Sequence, residues 1–314
     1  MFIGNKNQVV FFERAVQNGQ LSHAYCFCGP EGIGKTTLAK MVAAQILAVK
    51  ENNLFQSPNF YYYEREIDEK TGKQKKEITI SQAREIKEKM TKKAWGNRGQ
   101  VLIVEGAQYL NEESGNAILK ALEEPAQDSF LFLLSDHEKN ILPTVLSRCQ
   151  KIVFNPVGLG EITQGLVELG FDLKTAELSA LFSKGIPGKA VRLAEDNGFR
   201  EDVKAEVRRW LTLFKMDFYK KIESLEGVLS EKDGNKARDV LIKKMDFWLE
   251  LWRELLLFKT KKQAGNLLTE AEMTSLNRTP EQIKDNIDNI VKTQNNLKNN
   301  VQTRLAVEQL LLKF

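Results

Sequence analysis

The stretch Gly29-Pro30-Glu31-Gly32-Ile33-Gly34-Lys35-Thr36 decides the fold of this 314-residue chain. It matches in full the pattern of a loop that binds phosphate groups, the P-loop. An apolar run at 24–28 precedes it directly, and a helical pattern from Thr36 to Val49 follows it. Because strand, glycine-rich turn and helix stand in the required order, we expect a nucleotide-binding loop rather than a chance glycine-rich turn.

The loop contains each group that a bound nucleoside triphosphate requires. Its glycines let backbone N–H groups point inward around the phosphates, and the helix N-terminus adds partial positive charge beneath them. The lysine side chain reaches the β- and γ-phosphates, and the Thr36 hydroxyl binds Mg²⁺. We therefore expect ATP and Mg²⁺ as ligands, held by Gly29, Gly32, Gly34, Lys35, Thr36 and Thr37.

Three further apolar runs, at 101–104, 130–134 and 152–154, extend the pattern outward from the loop. Unbroken apolar runs are typical of parallel strands that helices cover on both faces. Helical patterns alternate with these runs, for example from Glu112 to Leu122. The alternation predicts an α/β P-loop domain, a parallel sheet with flanking helices, over residues 1–156.

The pattern changes after Pro156, where helical segments replace the alternation. Residues 157–198 predict a small helical lid domain, and residues 199–314 predict an all-α C-terminal domain. An aromatic stripe over residues 248–258 suits either the core of a helical bundle or an interface. The polar stretch 260–282 predicts a long connection.

Residues 50–80 interrupt the rhythm of the first domain. Phe60–Tyr63 and Ile78–Ile80 have the apolar character of strands, and a charged stretch separates them. That stretch contains Lys70-Thr71-Gly72-Lys73, a plausible turn. The pattern predicts a solvated β-hairpin insertion.

The composition excludes a membrane span and leaves nucleic acid open. The chain has 46 basic and 42 acidic side chains, a net charge of +4 that neither requires nor excludes a nucleic-acid partner. No apolar run is long enough to cross a bilayer, and the N-terminus lacks the pattern of a signal peptide. Three cysteines cannot form a disulfide framework. We therefore expect a cytoplasmic protein.

Four segments of the chain resemble the clamp-loader branch of the AAA+ ATPase family. They are residues 21–39 with the loop, 116–125 with Leu-Glu-Glu-Pro, 142–150 with Ser-Arg-Cys, and 300–308. The likeness spans nearly the whole chain and is weakest over residues 199–295. It implies the AAA+ fold, and it implies that the C-terminal domain is a collar that packs beside the collars of other subunits.

The residues after the run at 101–104 depart from an active family member. A P-loop ATPase usually carries an Asp there to hold the Mg²⁺ shell, and in AAA+ proteins a Glu follows it and polarises the attacking water. Here the run ends in Glu105-Gly106, of which only Glu105 has a side chain that could reach a metal-bound water. General-base help is worth about 10²–10⁴-fold, so we expect slow turnover, unless Glu123 or Glu124 substitutes.

The resemblance leaves two bacterial subunit types open, because the motor subunit (gamma or tau) and the delta-prime subunit both carry Ser-Arg-Cys. The motor keeps its Asp-Glu pair, so Glu105-Gly106 favours the delta-prime type. The family's arginine in this motif, Arg148 here, acts in trans on the ATP of a neighbouring subunit, and such a finger is worth about 10³–10⁵ in rate. On the residues alone, Arg148 suits a surface salt bridge or a cap at the sheet end equally well.

Two further polar residues match the family's sensor positions. Ser135 follows the run at 130–134 and corresponds to the polar sensor near the γ-phosphate. Lys189 follows Gly185-Ile186-Pro187-Gly188 and corresponds to the lid sensor, where active members carry an arginine with its planar fork. Plain surface roles suit both residues as well.

The chain lacks the four-cysteine zinc module that family members often carry. Residues 50–80 contain no Cys and no His, the usual ligands of structural zinc, so we expect no zinc there. Cys26 and Cys28 fall on one face of a strand, and we interpret them as small core residues. We interpret His23 as a structural hydrogen-bonding residue.

The resemblance also implies partners. They are the gamma/tau motor and delta subunits in a hetero-pentamer, the sliding clamp, and primer–template DNA through the complex. Two functions follow from these observations. The first is a subunit that binds ATP, hydrolyses it poorly and helps to load the clamp, and the alternative is an active motor ATPase.

Overall fold

The computed structural model describes residues 2–68, 72, 74–96, 99–230, 234–261, 267–299 and 301–314. The chain forms two compact units, Met1–Glu195 and Asp196–Phe314. The domain boundaries expected at residues 157 and 199 stay predictions.

A five-stranded parallel sheet forms the centre of the first unit. Its strands are β1 (Ala24–Cys28), β2 (Phe60–Tyr63), β3 (Gln100–Glu105), β4 (Ser129–Ser135) and β5 (Gln150–Val153). They lie in the order β2-β3-β4-β1-β5, and every neighbouring pair is parallel. The predicted parallel sheet is therefore confirmed, and the four apolar runs coincide with β1, β3, β4 and β5.

Both faces of β1 are buried, which explains its unbroken apolar sequence. Tyr25 and Phe27 point into one core, where the Tyr25 ring stacks on Phe132 with centroids 5.4 Å apart. Cys26 and Cys28 point into a second core on the opposite face. Their interpretation as core residues is confirmed, since both thiols are buried.

Helices lie before, between and after these strands in the chain, and several of them pack against the sheet. The α-helices of the described part of this unit are α1 (Lys6–Gln17), α2 (Lys35–Leu47), α3 (Ile80–Thr91), α4 (Glu112–Glu123), α5 (Pro143–Leu146), α6 (Leu159–Glu168), α7 (Leu173–Ser183) and α8 (Pro187–Glu195). Short 3₁₀ helices lie at Glu51–Gln56, Ala107–Tyr109 and Glu138–Asn140. The P-loop connects β1 to α2, so the sheet and the helix position its two ends.

The predicted hairpin over residues 50–80 is wrong, although the strand character of its first arm is confirmed. Phe60–Tyr63 does form strand β2, but this strand pairs in parallel with β3 and belongs to the main sheet. Ile80 begins helix α3 rather than a strand. The reason is a capping box, in which the side chains of Thr79 and Gln82 bond each other's backbone N–H groups and start the helix.

A small antiparallel element does lie inside this segment. Ile67 and Gln74 form an isolated antiparallel bridge, and Lys75 N donates a hydrogen bond to Glu66 O at 2.8 Å. The predicted turn at 70–73 lies outside the described residues, except for Gly72. Among the described residues, one bridge therefore joins the two sides of this segment.

The described residues of the second unit form helices joined by loops and contain no strand. Its helices are α9 (Phe199–Leu213), α10 (Phe218–Glu223), α11 (Glu226–Leu229), α12 (Gly234–Lys261), α13 (Glu270–Ser275), α14 (Pro280–Lys298) and α15 (Thr303–Leu311). The polar stretch 260–282 therefore contains helix α13, which a capping box of Thr269 and Glu272 begins.

Three tryptophans form the core of the second unit. Trp210 and Trp252 meet edge to face with ring centroids 5.1 Å apart, and Trp248 is buried beside them against Phe314. The aromatic stripe is therefore mainly core. The fourth tryptophan, Trp95 in the first unit, is 80% exposed.

Candidate functional site

The P-loop backbone adopts conformations that side chains would prevent. Gly34 has a φ of 110°, in the left-handed region, and a Cβ there would lie 2.9 Å from the Phe2 ring. Gly32 also has a positive φ and accepts a hydrogen bond through its carbonyl from Gly188 N at 2.9 Å. A Cβ at residue 188 would lie 2.8 Å from that carbonyl oxygen. Close backbone packing therefore ties the loop to the start of α8.

Lys35 begins α2, and its side chain folds back over the loop. Its Nζ donates to Gly29 O at 2.5 Å and to Pro30 O at 3.0 Å, and it lies 3.1 Å from Asp136 Oδ1. The Lys35 side chain is only 6% exposed. Two carbonyls and a carboxylate therefore satisfy the three donors of the buried ammonium group.

Thr36 and Glu105 meet at the adjoining strand end. The Thr36 hydroxyl donates to the Glu105 carboxylate, with Oγ1 3.0 Å from Oε1 and 3.1 Å from Oε2. The Tyr62 hydroxyl, from β2, donates to Glu105 Oε2 as well. Burial and this hydrogen bond raise the pKa of Tyr62 above its usual value, so the phenol stays a neutral donor. Two hydroxyls thus hold the carboxylate beside the threonine.

Lys35, Thr36 and Glu105 line one cavity of about 270 Å³, whose wall contains both polar and apolar side chains. The polar side chains on its wall are Glu31, Lys35, Thr36, Thr37, Glu105 and Asp136. The apolar side chains on the wall are Phe2, Ile3, Ile33, Leu169, Pro187 and Val191. Few convergent polar groups beside an apolar wall are typical of a small-molecule site, and here they suit a ligand with an anionic end and an apolar end.

The structure brings most of the predicted site residues together at this cavity. Gly32, Gly34, Lys35, Thr36, Thr37 and Glu105 all line it, and Gly29 contributes the carbonyl that binds Lys35. The place after Glu105 carries Gly106, which ends β3 with a positive φ and has no side chain to offer. The loop and the first acidic position therefore share one site.

Two predicted sensor residues lie close to the cavity but do not line it. Ser135 is buried at the end of β4, and its hydroxyl donates to His137 O at 3.0 Å. Lys189 lies in α8, of which Pro187, Gly188 and Val191 reach the cavity instead. The sensor roles of both residues stay predictions.

Sequence reasoning missed Asp136, the residue directly after β4. Because β4 is the neighbour of β1 in a parallel sheet, its carboxyl end lies beside the P-loop. Asp136 Oδ2 accepts a hydrogen bond from Gln108 Nε2 at 3.1 Å, while Oδ1 contacts Lys35. Its position in the sequence could have indicated it, because Asp136 directly follows Ser135 at the carboxyl end of β4.

Arg148 lies outside the cavity, on the segment between α5 and β5. Its Nε donates to Glu123 Oε1 at 2.8 Å, its Nη2 lies 2.6 Å from the same oxygen, and its Nη1 donates to Thr144 O at 2.9 Å. The Arg148 side chain is 35% exposed and that of Glu123 is 51% exposed. Glu123 is thus engaged by the arginine, and neither it nor Glu124 lines the cavity.

His23 and the third cysteine take structural positions. His23 Nε2 is buried without a hydrogen-bond partner in the part of the chain that the structure describes. Its interpretation as a hydrogen-bonding residue is therefore wrong for this nitrogen. Burial raises the pKa of Cys149 to about 12, so its thiol stays protonated at neutral pH.

The sheet order, the loop after β1 and the acidic groups at neighbouring strand ends define a P-loop protein of the AAA+ class. Residues 4–158 match the family model of "DNA polymerase III, delta subunit". The delta' subunit of DNA polymerase III from Bacillus subtilis is 22% identical over 95% of this chain and 92% of its own length. These matches make the chain delta-prime-like, with the family model on residues 4–158 and the Bacillus subtilis relative along nearly the whole chain.

Other relatives match a smaller share of the chain at higher identity. The delta' subunit of Pseudomonas aeruginosa is 34% identical over 41% of this chain and 42% of its own length. The gamma/tau subunit of Mycoplasma pneumoniae is 32% identical over 49% of this chain and 23% of its own length. The chain thus spans less than half the length of these two relatives in the matched region.

Two solved structures align along most of the chain. The RuvB Holliday junction branch migration motor of Thermotoga maritima covers 90% of this chain and 85% of its own, with 18% identity and a TM-score of 0.45. The clamp loader delta protein of Bacillus subtilis covers 97% and 98%, with 13% identity and a TM-score of 0.38. Within the described residues, none of the helices combines the length and apolar character needed to cross a membrane.

Proposed function

We propose that this chain is a delta-prime-type clamp-loader subunit that binds ATP with Mg²⁺ and hydrolyses it slowly. The observation that carries the nucleotide part is the meeting of Lys35, Thr36 and Glu105 at one cavity. A buried ammonium at a helix N-terminus binds the phosphates. A threonine hydroxyl paired with a carboxylate matches the oxygen ligands that Mg²⁺ prefers, with water completing its shell.

Slow hydrolysis follows from what each acidic residue can do. Glu105, held by Thr36 and Tyr62, suits the metal shell and is not free to take a proton from water. Gly106, at the position of the family's catalytic Glu, has no side chain. Without a general base the chemical step loses about 10²–10⁴-fold.

The alternative is an active motor ATPase of the gamma/tau type. One observation favours it, because Asp136 places a carboxylate on the cavity wall that the sequence did not lead us to expect. Asp136 is bonded to Lys35 and Gln108, however, so both of its oxygens are engaged. We therefore rank the binding subunit first.

Arg148 gives this subunit a second role, in ATP hydrolysis by a neighbouring subunit. Its position outside the cavity and its exposed pair with Glu123 support a role as an arginine finger for the ATP of a neighbouring gamma/tau subunit. In this proposal the chain joins gamma/tau and delta subunits through its C-terminal helical domain. The complex then opens the sliding clamp on primer–template DNA in the cytoplasm.

The lid domain and the two sensor positions complete the same proposal. Residues 157–198 act as the lid of the nucleotide site, with Lys189 as the lid sensor and Ser135 as the sensor near the γ-phosphate. Because the hydroxyl of Ser135 is bonded to His137 O, it must rotate to meet a phosphate. No zinc is needed for this function.

The isolated chain distinguishes the two functions by its ATPase rate. We expect binding of Mg-ATP, with turnover far below the typical enzyme range of about 1–10³ s⁻¹. Turnover at about 1 s⁻¹ or faster, abolished by Lys35→Ala, would favour the motor. Lys151→Ala is the matched control, because Lys151 is half-exposed and pairs with Glu138 outside the cavity. Failure of the chain to co-purify with gamma/tau and delta subunits would contradict the clamp-loader assignment.

A further inference from the structure

Asp136 forms an ion pair with Lys35, the ammonium group that the nucleotide phosphates would also bind. Its Oδ1 lies 3.1 Å from Lys35 Nζ, and its side chain is 40% exposed. The other two partners of this ammonium are the carbonyls of Gly29 and Pro30, which belong to the loop itself. Of the three partners, only the carboxylate carries a full charge and sits on a side chain that can rotate away.

Gln108 binds the second oxygen of this carboxylate and favours its present orientation. Gln108 Nε2 donates to Asp136 Oδ2 at 3.1 Å, and Gln108 Oε1 is buried with no hydrogen-bond partner among the described residues. A buried acceptor left unbonded is costly. The amide of Gln108 keeps this orientation because its Nε2 donates to Asp136. The aspartate is therefore held towards Lys35 by a second side chain.

Two of the carboxylates on the cavity wall, those of Glu105 and Asp136, have different tasks. Glu105 is engaged by the hydroxyls of Thr36 and Tyr62, on the side where the loop threonine meets a metal ion. Asp136 is engaged by Lys35, on the side where the lysine meets phosphate. A carboxylate on the metal side stabilises a bound nucleotide, whereas one on the phosphate side repels it.

We infer that Asp136 competes with phosphate for Lys35 and so sets a low affinity for nucleotides. This inference rests on the proposed nucleotide binding. Phosphate oxygens must displace the carboxylate from the ammonium, and the displaced charge stays close to the bound anion. The penalty therefore grows with the charge of the ligand, from AMP to ADP to ATP.

The test compares Asp136→Asn with the wild-type chain by calorimetry, using Mg-ATP, Mg-ADP and AMP. Asparagine keeps the shape of the side chain and removes its charge. We expect ATP to bind about tenfold to hundredfold more tightly to Asp136→Asn, ADP less so, and AMP least, each tenfold being about 1.4 kcal/mol. Asp136→Glu keeps the charge and should stay near the wild-type affinity.

Glu138→Gln is the matched control. Glu138 lies two residues further along, carries the same charge and pairs with Lys151 at 3.0 Å, but does not line the cavity. Its substitution should leave nucleotide affinity unchanged, and thermal melting of all variants reports their folding. Asp136→Ala, which also removes the charge, should reproduce the gain if the asparagine variant folds poorly.

The possible failures are distinguishable. Equal ATP affinity in Asp136→Asn and the wild type, or an equal gain in Glu138→Gln, would overturn the inference and leave the proposed function intact. Weaker binding in Asp136→Asn would also overturn it and would make Asp136 a metal or phosphate-orienting group. If neither the wild type nor Asp136→Asn binds ATP, the proposed nucleotide binding itself is lost, and the inference with it.

Discussion

Two cations of the first unit are each held by a carboxylate of the same chain, but at different depths. Lys35 is 6% exposed and bonds Asp136 and two loop carbonyls. Arg148 is 35% exposed and bonds Glu123, which is itself half-exposed. One pair lies on the wall of the chain's own cavity, and the other lies on the surface.

The difference in depth decides how each cation can be used. An exposed ion pair contributes about 0–1 kcal/mol, so Arg148 can exchange Glu123 for another anion at small cost. Removing the partners of a buried ammonium group costs far more free energy. An anion that displaces Asp136 must therefore take its place beside Lys35. Lys35 is therefore suited to a ligand of this chain, and Arg148 to a ligand on another surface.

The strongest test of this comparison is Arg148→Ala in the reconstituted complex with gamma/tau and delta subunits. We expect the ATPase rate of the complex to fall by about 10³-fold, because charge on the transferring phosphoryl group loses its finger. Assembly, measured by size-exclusion chromatography, should not change. Arg148→Lys should recover only part of the rate, since lysine lacks the planar fork. An unchanged rate would remove the finger assignment.

Lys35→Met tests the buried side of the comparison. The Gly29 carbonyl loses its lysine donor, and the Pro30 carbonyl keeps only its bond from Ile33 N at 3.3 Å. A buried unbonded group costs about 1–3 kcal/mol. We expect the peptide covering residues 24–47 to exchange its amide hydrogens about tenfold faster or more in hydrogen-exchange mass spectrometry. Lys40→Met on the same helix should have little effect, because Lys40 lies over the Phe55 and Tyr62 rings rather than against carbonyls. Equal protection in both variants would contradict the structural role of Lys35.

Tyr62→Phe tests the support of Glu105 and has a pH signature. The pKa of Tyr62 is raised above its usual 10.0 by burial and by its bond to Glu105. The native state therefore keeps a proton that the unfolded chain releases, and this contribution to stability is present below about pH 10 and is lost as the pH rises further. The variant should lose about 1 kcal/mol at pH 7 and should be less sensitive to alkali. Urea unfolding at pH 7 and pH 10.5, followed by circular dichroism, measures both effects. An alkaline slope equal to that of the wild type would contradict the assignment.

Glu123→Gln should have the smallest effect. It removes the charge that pairs with Arg148, and an exposed pair costs about 1 kcal/mol at most. We expect unfolding by urea to change within that limit and the ATPase of the complex to stay within about twofold, since the arginine finds its functional partner elsewhere. A large fall in activity would show that Glu123 orients the arginine for its task.

The loop and the sheet could be predicted from sequence because each rests on local patterns. Glycines at fixed spacing mark the loop, and unbroken apolar runs mark strands such as β1, whose two faces are both buried. The start of α3 is also written in the sequence, as the Thr79–Gln82 capping box, whereas the apolar residues at 78 and 80 alone favour a strand.

The polar contacts of the site were less predictable. Arg148 and Glu123 lie 25 positions apart, and Lys35 and Asp136 lie 101 positions apart, so the fold alone brings each pair together. The hydroxyl of Ser135 is used by a backbone carbonyl two residues away, which no family position reveals. Asp136 could have been proposed from topology, since polar residues after neighbouring strands share one sheet edge.

The placement of the tryptophans allows the fluorescence of the two units to be distinguished. Three of the four lie in the core of the second unit and should emit at short wavelength, whereas the exposed Trp95 of the first unit should emit near 350 nm, roughly as in water, since a solvated indole relaxes against polar surroundings. Fluorescence that shifts to the red therefore records the loosening of the helical unit, and quenching by iodide selects Trp95. Each unit can be followed during one titration without an added dye.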